Sequence, residues 1–219
     1  MTDLVIFGSG GFAREVLQVA LDQNDDAPTW NVLGFLDGNP ESHGTAVHDL
    51  PVLGGADWLA AQPGVAVVIG VGATPARRRI ARAVEAVRPT EFATLVHPRA
   101  WTGRRVALGP GTVVCAGSLL TTDIKTGQHV VINLDCTVGH DSCLADFVTA
   151  APSVNVSGDV MVGEGCDLGT GAVLIQGVTV GAWTVIGAGA VVVRDLPPNV
   201  TAVGAPARAI KERPAGWHD

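Results

Sequence analysis

No tyrosine occurs in this chain of 219 residues, lysine appears only as Lys125 and Lys211, and aromatic residues make up 5%. The 14 basic residues face 21 acidic ones, for a net charge of −7. That balance excludes the basic surface which sequence-independent nucleic-acid binding needs for counterion release. Anionic small molecules stay within reach, because local arginines and backbone amides bind phosphate on an acidic protein. The chain lacks the uninterrupted apolar run of about 18 residues that would suggest a transmembrane helix. Its opening segment, MTDLVIFGSGGF, holds an acid and no cation, so no signal peptide and a cytoplasmic setting are expected. Cys115, Cys136, Cys143 and Cys166 form no CxxC pair, which leaves metal and redox motifs unsupported.

What the chain has in excess is glycine, 28 residues, roughly double the average usage of about 7%. There is no Gly-X-Y period, so the excess does not signal collagen. With 47% hydrophobic residues it points to a packed fold of many tight turns and away from a helical bundle.

Residues 1–92 read as a small parallel α/β domain of Rossmann-like type. Strand runs at Leu4–Phe7, Val32–Leu36 and Val65–Ile69 alternate with helical stretches. Thr74-Pro75 is expected to open the second helix as N-cap and first-turn proline. On that helix Ile80, Ala83, Val84 and Val87 form an apolar face, and Arg77, Arg78, Arg79 and Arg82 read as a solvated one. Gly8, Gly10 and Ala13 fit a dinucleotide fingerprint between strand and helix, and Asp37 closes the second strand. This pattern leaves two readings open, a nucleotide or nucleotide-sugar site and a structural strand–helix turn.

From Ala107 to Leu196 the sequence divides into fifteen consecutive hexads with no insertion, within an expected domain of residues 93–196. The second position is Leu, Val or Ile in thirteen, Thr126 and Ala150 excepted. The sixth is Ala, Ser, Thr, Val or Cys in thirteen, Ile124 and Leu196 excepted. Positions six and two point to the same side of a strand, so an aliphatic and a small residue alternate into a narrow interior. Glycine recurs at the third position, where a sharp backbone bend is expected. Three hexads make one triangular coil, and the pattern predicts a left-handed parallel β-helix of five coils. Cys136 and Cys166, at sixth positions, are expected to be small core residues.

Few outward residues carry acid–base chemistry. His129 falls at a fifth position and reads as structural. His140 falls at a fourth, followed at once by Asp141. A neutral imidazole takes a proton near pH 7, and an adjacent carboxylate fixes its tautomer. A three-histidine zinc site is not supported, since the coils hold only these two histidines. No serine or cysteine is paired with a base, so direct transfer without a covalent enzyme intermediate is expected.

The stretches IFGSGGFARE from Ile6, GFLD from Gly34, Ile132-Asn133, VGHD from Val138 and VGAPAR from Val203 together resemble the NeuD/PglD-like sugar O-/N-acyltransferases. The resemblance spans nearly the whole chain. It implies acetyl-CoA as co-substrate, no metal, and a homotrimer with the cofactor in a groove between subunits. It further implies a nucleotide-sugar or sugar acceptor held through Gly8, Ser9, Gly10 and Asp37. His140 would be general base and Asp141 its orienting partner, with Asn133 near the acceptor. Gly158 would let CoA approach, and Gly204, Ala205 and Pro206, within a tail of residues 197–219, would flank its far end. Thr149 stands where members often carry a second histidine. The expected activity is N-acetylation of a nucleotide-linked amino sugar. The alternatives are O-acetylation of a sugar or other small alcohol, and a non-catalytic nucleotide-binding scaffold. The N-terminal segment is too short for a fused nucleotidyltransferase.

Overall fold

The computed structural model describes residues 1–219, which divide into two compact units, Met1–Pro98 and Arg99–Asp219. The first is built on the strands β1 (Thr2–Phe7), β2 (Trp30–Leu36), β3 (Ala46–Val47), β4 (Leu50–Gly54) and β5 (Ala66–Ile69). They form one sheet in the order β3-β4-β2-β1-β5, parallel except for the short β3–β4 pair. Helices α1 (Gly11–Asp26) and α2 (Thr74–Val87) follow β1 and β5. The central strands are apolar on both faces, and Leu4, Val5, Ile6, Val67 and Val68 are wholly buried, as a covered parallel sheet requires.

Helix α2 departs from the sequence expectation. Thr74 is its first residue, not its cap; Ala73 holds the cap position and contributes no side-chain hydrogen bond. The buried side of α2 consists of Thr74, Arg77, Arg78, Ala81 and Val84. Two arginines expected in solvent therefore lie inside, while Ile80 is only half-buried and Ala83 is exposed.

The second unit is the left-handed parallel β-helix. Each two-residue strand pairs in parallel with the strand eighteen residues on, as Val113 does with Val131 and Val131 with Thr149. The other two faces repeat the rule, with Thr137 on Asn155 and Cys143 on Met161. All fifteen sixth-position side chains are buried, and so are the second-position ones except Leu108. Stacking begins before the first hexad of the repeat pattern, since Trp101–Thr102 pairs with Leu119–Leu120 and Leu95–Val96 neighbours Val113–Val114. The aliphatic signature hides the hexad at Trp101 because Thr102 occupies its second position. At the other end, Val200–Val203 continues one face and pairs antiparallel with Arg208–Glu212.

The third-position glycines have a different cause from the one expected. Left-handed backbone falls at the fifth position, at Gly111, Asp123, His129, Asp141, Phe147 and Trp183 among others. Third-position glycines instead sit against the backbone of the next coil. A Cβ on Gly163 would lie 2.6 Å from the Ala182 nitrogen, and one on Gly139 2.6 Å from the Gly158 nitrogen. Close approach, not bending, excludes a side chain there. Bulky fifth-position residues share one edge: His129 stacks on Phe147 with ring centroids 5.2 Å apart, and Trp183 stacks on His218 of the C-terminal tail at 3.6 Å.

These two reasons for glycine are separable. Gly163→Ala should cost about 2–3 kcal/mol by overpacking the stack. Gly171→Ala, with φ of +69° and no atom within 4 Å of its Cβ position, should cost about 1 kcal/mol from its left-handed backbone alone. Denaturant titration compares them, and equal losses would show that the coils simply spread.

Candidate active site

In the α/β unit the carboxyl ends of β1, β2 and β5 bring Gly8, Asp37 and Gly70 together, the place where parallel sheets bind ligands. Gly8 has φ of +112°, and a Cβ there would meet Val71 at 2.8 Å. Gly70 lies so close to Ala13 of α1 that a Cβ would stand 2.6 Å from its Cα, which sets helix against sheet. Gly10 caps α1 without a side-chain bond, and its Cβ position is open, so no capping side chain takes up the first amides of the helix. Ser9 Oγ donates to Asp37 Oδ2 at 2.5 Å, and the Asn39 amide donates to Oδ1 at 2.9 Å. The glycine turn is thus tied to the end of β2, and Gly8, Ser9, Gly10 and Asp37 form one cluster.

Beside that cluster opens a cavity of about 490 Å³ lined by Phe7, Asp37, Asn39, Ala76, Arg79, Ile80 and Ala83, among others. Of the α2 face that resembles a core face in sequence, Ile80 and Ala83 therefore line a cavity, while Val84 is buried in the core. Arg77 explains the inversion: its Nη1 donates to the carbonyls of Val71 at 3.1 Å and Gly72 at 2.9 Å. It braces the turn after β5 from inside, while Arg79 is exposed and lines the cavity.

In the β-helix, His140 Nδ1 lies 2.8 Å from Asp141 Oδ2. A carboxylate only accepts, so Nδ1 carries a proton, and in the neutral imidazole that leaves the lone pair on Nε2. Asp141 holds this position with φ of +60°, a conformation aspartate tolerates. The imidazole leans toward the next coil and covers Gly158, where a Cβ would stand 2.5 Å from Nε2. Any side chain at Gly158 would displace the ring. His140 and Asp141 are 53% and 62% exposed, so the pair is open to a ligand.

Asn133 is not brought to this pair within one chain. It follows the strand Val131–Ile132 and His140 follows Thr137–Val138, so they occupy successive edges of the prism. Asn133 Oδ1 accepts from the Leu134 amide at 2.8 Å. Gly204, with φ of +95°, Ala205 and Pro206 form the exposed turn before Arg208–Glu212. Val191 fixes that turn, its amide bonded to Gly204 O at 2.9 Å and its carbonyl to the Ala207 amide at 2.7 Å. His129 is wholly buried. Burial pushes the thiols of Cys136 and Cys166 up to about 11 and about 12, so neither is a nucleophile at neutral pH. Thr149 lies buried at a first position.

Comparison with known proteins gives matches over both units. Residues 3–84 match the PglD N-terminal domain. GDP-perosamine N-acetyltransferase of Escherichia coli O157:H7 is 29% identical over 218 residues, covering 95% of this chain and 96% of that one. A histidine-to-asparagine variant of perosamine N-acetyltransferase from Caulobacter crescentus, solved with CoA and GDP-perosamine, superposes with a TM-score of 0.88. Its identity is 32%, over 96% of this chain and 97% of that one. The acetyltransferase domain of PglB from Neisseria gonorrhoeae, in complex with acetyl coenzyme A, gives 0.86 at 30% identity, over 95% and 99% of the two chains.

The buried guanidinium makes a measurable claim. Arg77→Met should lower stability by about 1–3 kcal/mol by stranding two carbonyls, whereas Arg79→Met should stay within about 0.5 kcal/mol. Equal effects in denaturant titration would return Arg77 to the surface.

Proposed function

The chain belongs to the NeuD/PglD-like family of sugar acyltransferases, and from that premise we propose that it moves the acetyl group of acetyl-CoA onto the amino group of a nucleotide-linked amino sugar. The observation that carries this reading is the His140–Asp141 pair, held at 2.8 Å through Nδ1 with Nε2 lying over Gly158. Relatives that act on GDP-perosamine support the acceptor class.

In the proposed mechanism the neutral sugar amine attacks the thioester carbonyl while His140 Nε2 takes its proton. Asp141 steadies the imidazolium that results. The tetrahedral intermediate then collapses, the C–S bond breaks, and the departing CoA sulfur recovers a proton. The pair must meet the acceptor and the thioester together, and Asn133 stands on another edge of its own coil. A second copy would supply it, which favours a trimer with each site between neighbours. Exposed Trp101, Leu119 and Met161 are apolar surface that such an assembly would cover. The nucleotide is assigned to the Gly8–Asp37 cluster and its adjoining cavity, with diphosphate on the α1 amides. CoA is assigned to the ridge beyond Gly158 and to the turn at Gly204, Ala205 and Pro206.

Incubation of the protein with acetyl-CoA and a panel of nucleotide-linked sugars should add the mass of one acetyl group to an amino sugar. Acetylation confined to hydroxyl acceptors would overturn the assignment. His140→Ala should lose about 10²–10⁴-fold in kcat while keeping its melting temperature. Near-wild-type turnover would remove His140 as the base.

A further inference from the structure

Two segments supply most of the lining of the cavity in the α/β unit. Helix α2 gives Ala76, Arg79, Ile80 and Ala83, and the loop after β2 gives Asp37, Gly38 and Asn39. Each is fastened by a side chain that does not itself line the cavity and that donates to main-chain carbonyls. Arg77 does this for the turn that leads into α2, through Val71 and Gly72. His43 does it for the loop, its Nε2 lying 2.8 Å from the carbonyl oxygen of Asp37. A carbonyl only accepts, so Nε2 carries a proton and donates, whether the ring is neutral or charged. We propose that His43 is a positioning residue for the acceptor's nucleotide: it closes residues 38–43 back onto Asp37 and so holds the polar wall of the cavity in shape. The proposal rests on the reading that the nucleotide lies in this cavity.

Asp37 is bonded at every polar group. Its amide donates to Gly54 O at 2.9 Å, Ser9 Oγ and the Asn39 amide donate to its two carboxylate oxygens, and His43 takes its carbonyl. Among these partners only His43 returns from as far as six residues on, across the neck of the loop. The bonds in between are internal to the segment. The Glu41 amide donates to Asn39 Oδ1 at 3.1 Å, Ser42 Oγ to Asn39 O at 2.7 Å, and the His43 amide to Pro40 O at 3.2 Å. They stiffen the loop around the turn Pro40–Ser42 without tying it to the sheet. The next anchor is Gly44, whose amide donates to Val52 O at 2.8 Å. Without the His43 bond a stiff turn would pivot between Asp37 and Gly44 and carry Gly38 and Asn39 with it.

Exposure separates this role from a share in folding. Arg77 is buried, so its removal strands two carbonyls. His43 is exposed, and water bonds the Asp37 carbonyl once the imidazole is gone. The cost then falls on the ligand, which has to order the loop as it binds. His48 gives the contrast within the same unit. It too is exposed, in the turn between β3 and β4 with φ of +45°, and its ring makes no hydrogen bond.

The test titrates GDP and UDP, as probes of the nucleotide, into the wild type and into Asp37→Ala, His43→Ala, His43→Gln and His48→Ala by calorimetry. For the probe that binds the wild type, Asp37→Ala should weaken binding about tenfold or more. His43→Ala should weaken it about fivefold, the worth of one hydrogen bond, with the melting temperature held within about 2 °C. His43→Gln, whose side-chain amide donates in place of Nε2, should recover most of that loss, and His48→Ala should bind as the wild type does. In the ligand-free protein, the Asn39 and Glu41 amides should exchange hydrogen faster in His43→Ala than in His48→Ala. Unchanged affinity in His43→Ala, a loss that glutamine leaves at full size, or an equal loss in His48→Ala overturns the positioning role. Failure of both probes to bind the wild type, or full affinity in Asp37→Ala, overturns instead the placing of the nucleotide in this cavity, and the proposal falls with it.

Discussion

Everything in the β-helix depends on one constraint: each backbone strand hydrogen-bonds to the strand eighteen residues away, so every side chain has its counterpart directly above and below it. A column of positions is therefore selected together. The sixth-position column accepts only what fits a narrow interior, and even Ser118, Ser142 and Thr184 are buried there. Those hydroxyls pay for entry by bonding to the main-chain carbonyls of Asn133, Ser157 and Pro197. The third-position column must let one coil's turn rest on the next, which glycine allows. The fifth-position column must adopt left-handed backbone, and its bulky members His129, Phe147 and Trp183 are accommodated beside stacked rings.

The α/β unit obeys a weaker constraint, and sequence reading went astray there for that reason. A helix on an open sheet has two flanks besides its buried stripe, and amphipathicity does not say which flank meets core and which meets a cavity. Ile80 and Ala83 form a stripe as good as any core face, yet they line open space. Arg77 resembles a surface residue until its partners are known. Those partners, the carbonyls of Val71 and Gly72, are backbone groups that no sequence pattern advertises. By contrast the spacing of Gly8, Gly10 and Ala13 was informative, because close approach at Gly8 and at the Gly70–Ala13 contact is a local requirement of strand–turn–helix geometry.

The same difference decides which parts of the candidate site were legible. His140 and Asp141 stand out from sequence because adjacency alone lets a histidine and an aspartate bond, and a periodic scaffold fixes which way they face. The hexad at Trp101 was hidden by Thr102, a polar residue in an aliphatic column. The second role of Gly158 was hidden too. In sequence it is one more turn glycine, and only the stacked coil shows that it is the surface on which the His140 ring lies. The relation of Asn133 to His140 is invisible by a third route: seven residues of separation sound close, yet they span a prism edge.

His140, the proposed base, remains 53% exposed and cannot by itself exclude water from a reacting thioester. The β-helix contributes position, since its coils hold Nδ1 on Asp141 and Nε2 over a glycine with little freedom to move. It does not contribute enclosure, because a convex edge encloses nothing. In the proposed reaction the missing wall would come from the substrates and from a second copy, and the exposed apolar residues on the flat faces are where such a copy would gain its contact energy. Rigidity and openness on the same edge are thus complementary. In the proposed reaction the first would fix the geometry of proton transfer, and the second would leave the edge open to both substrates.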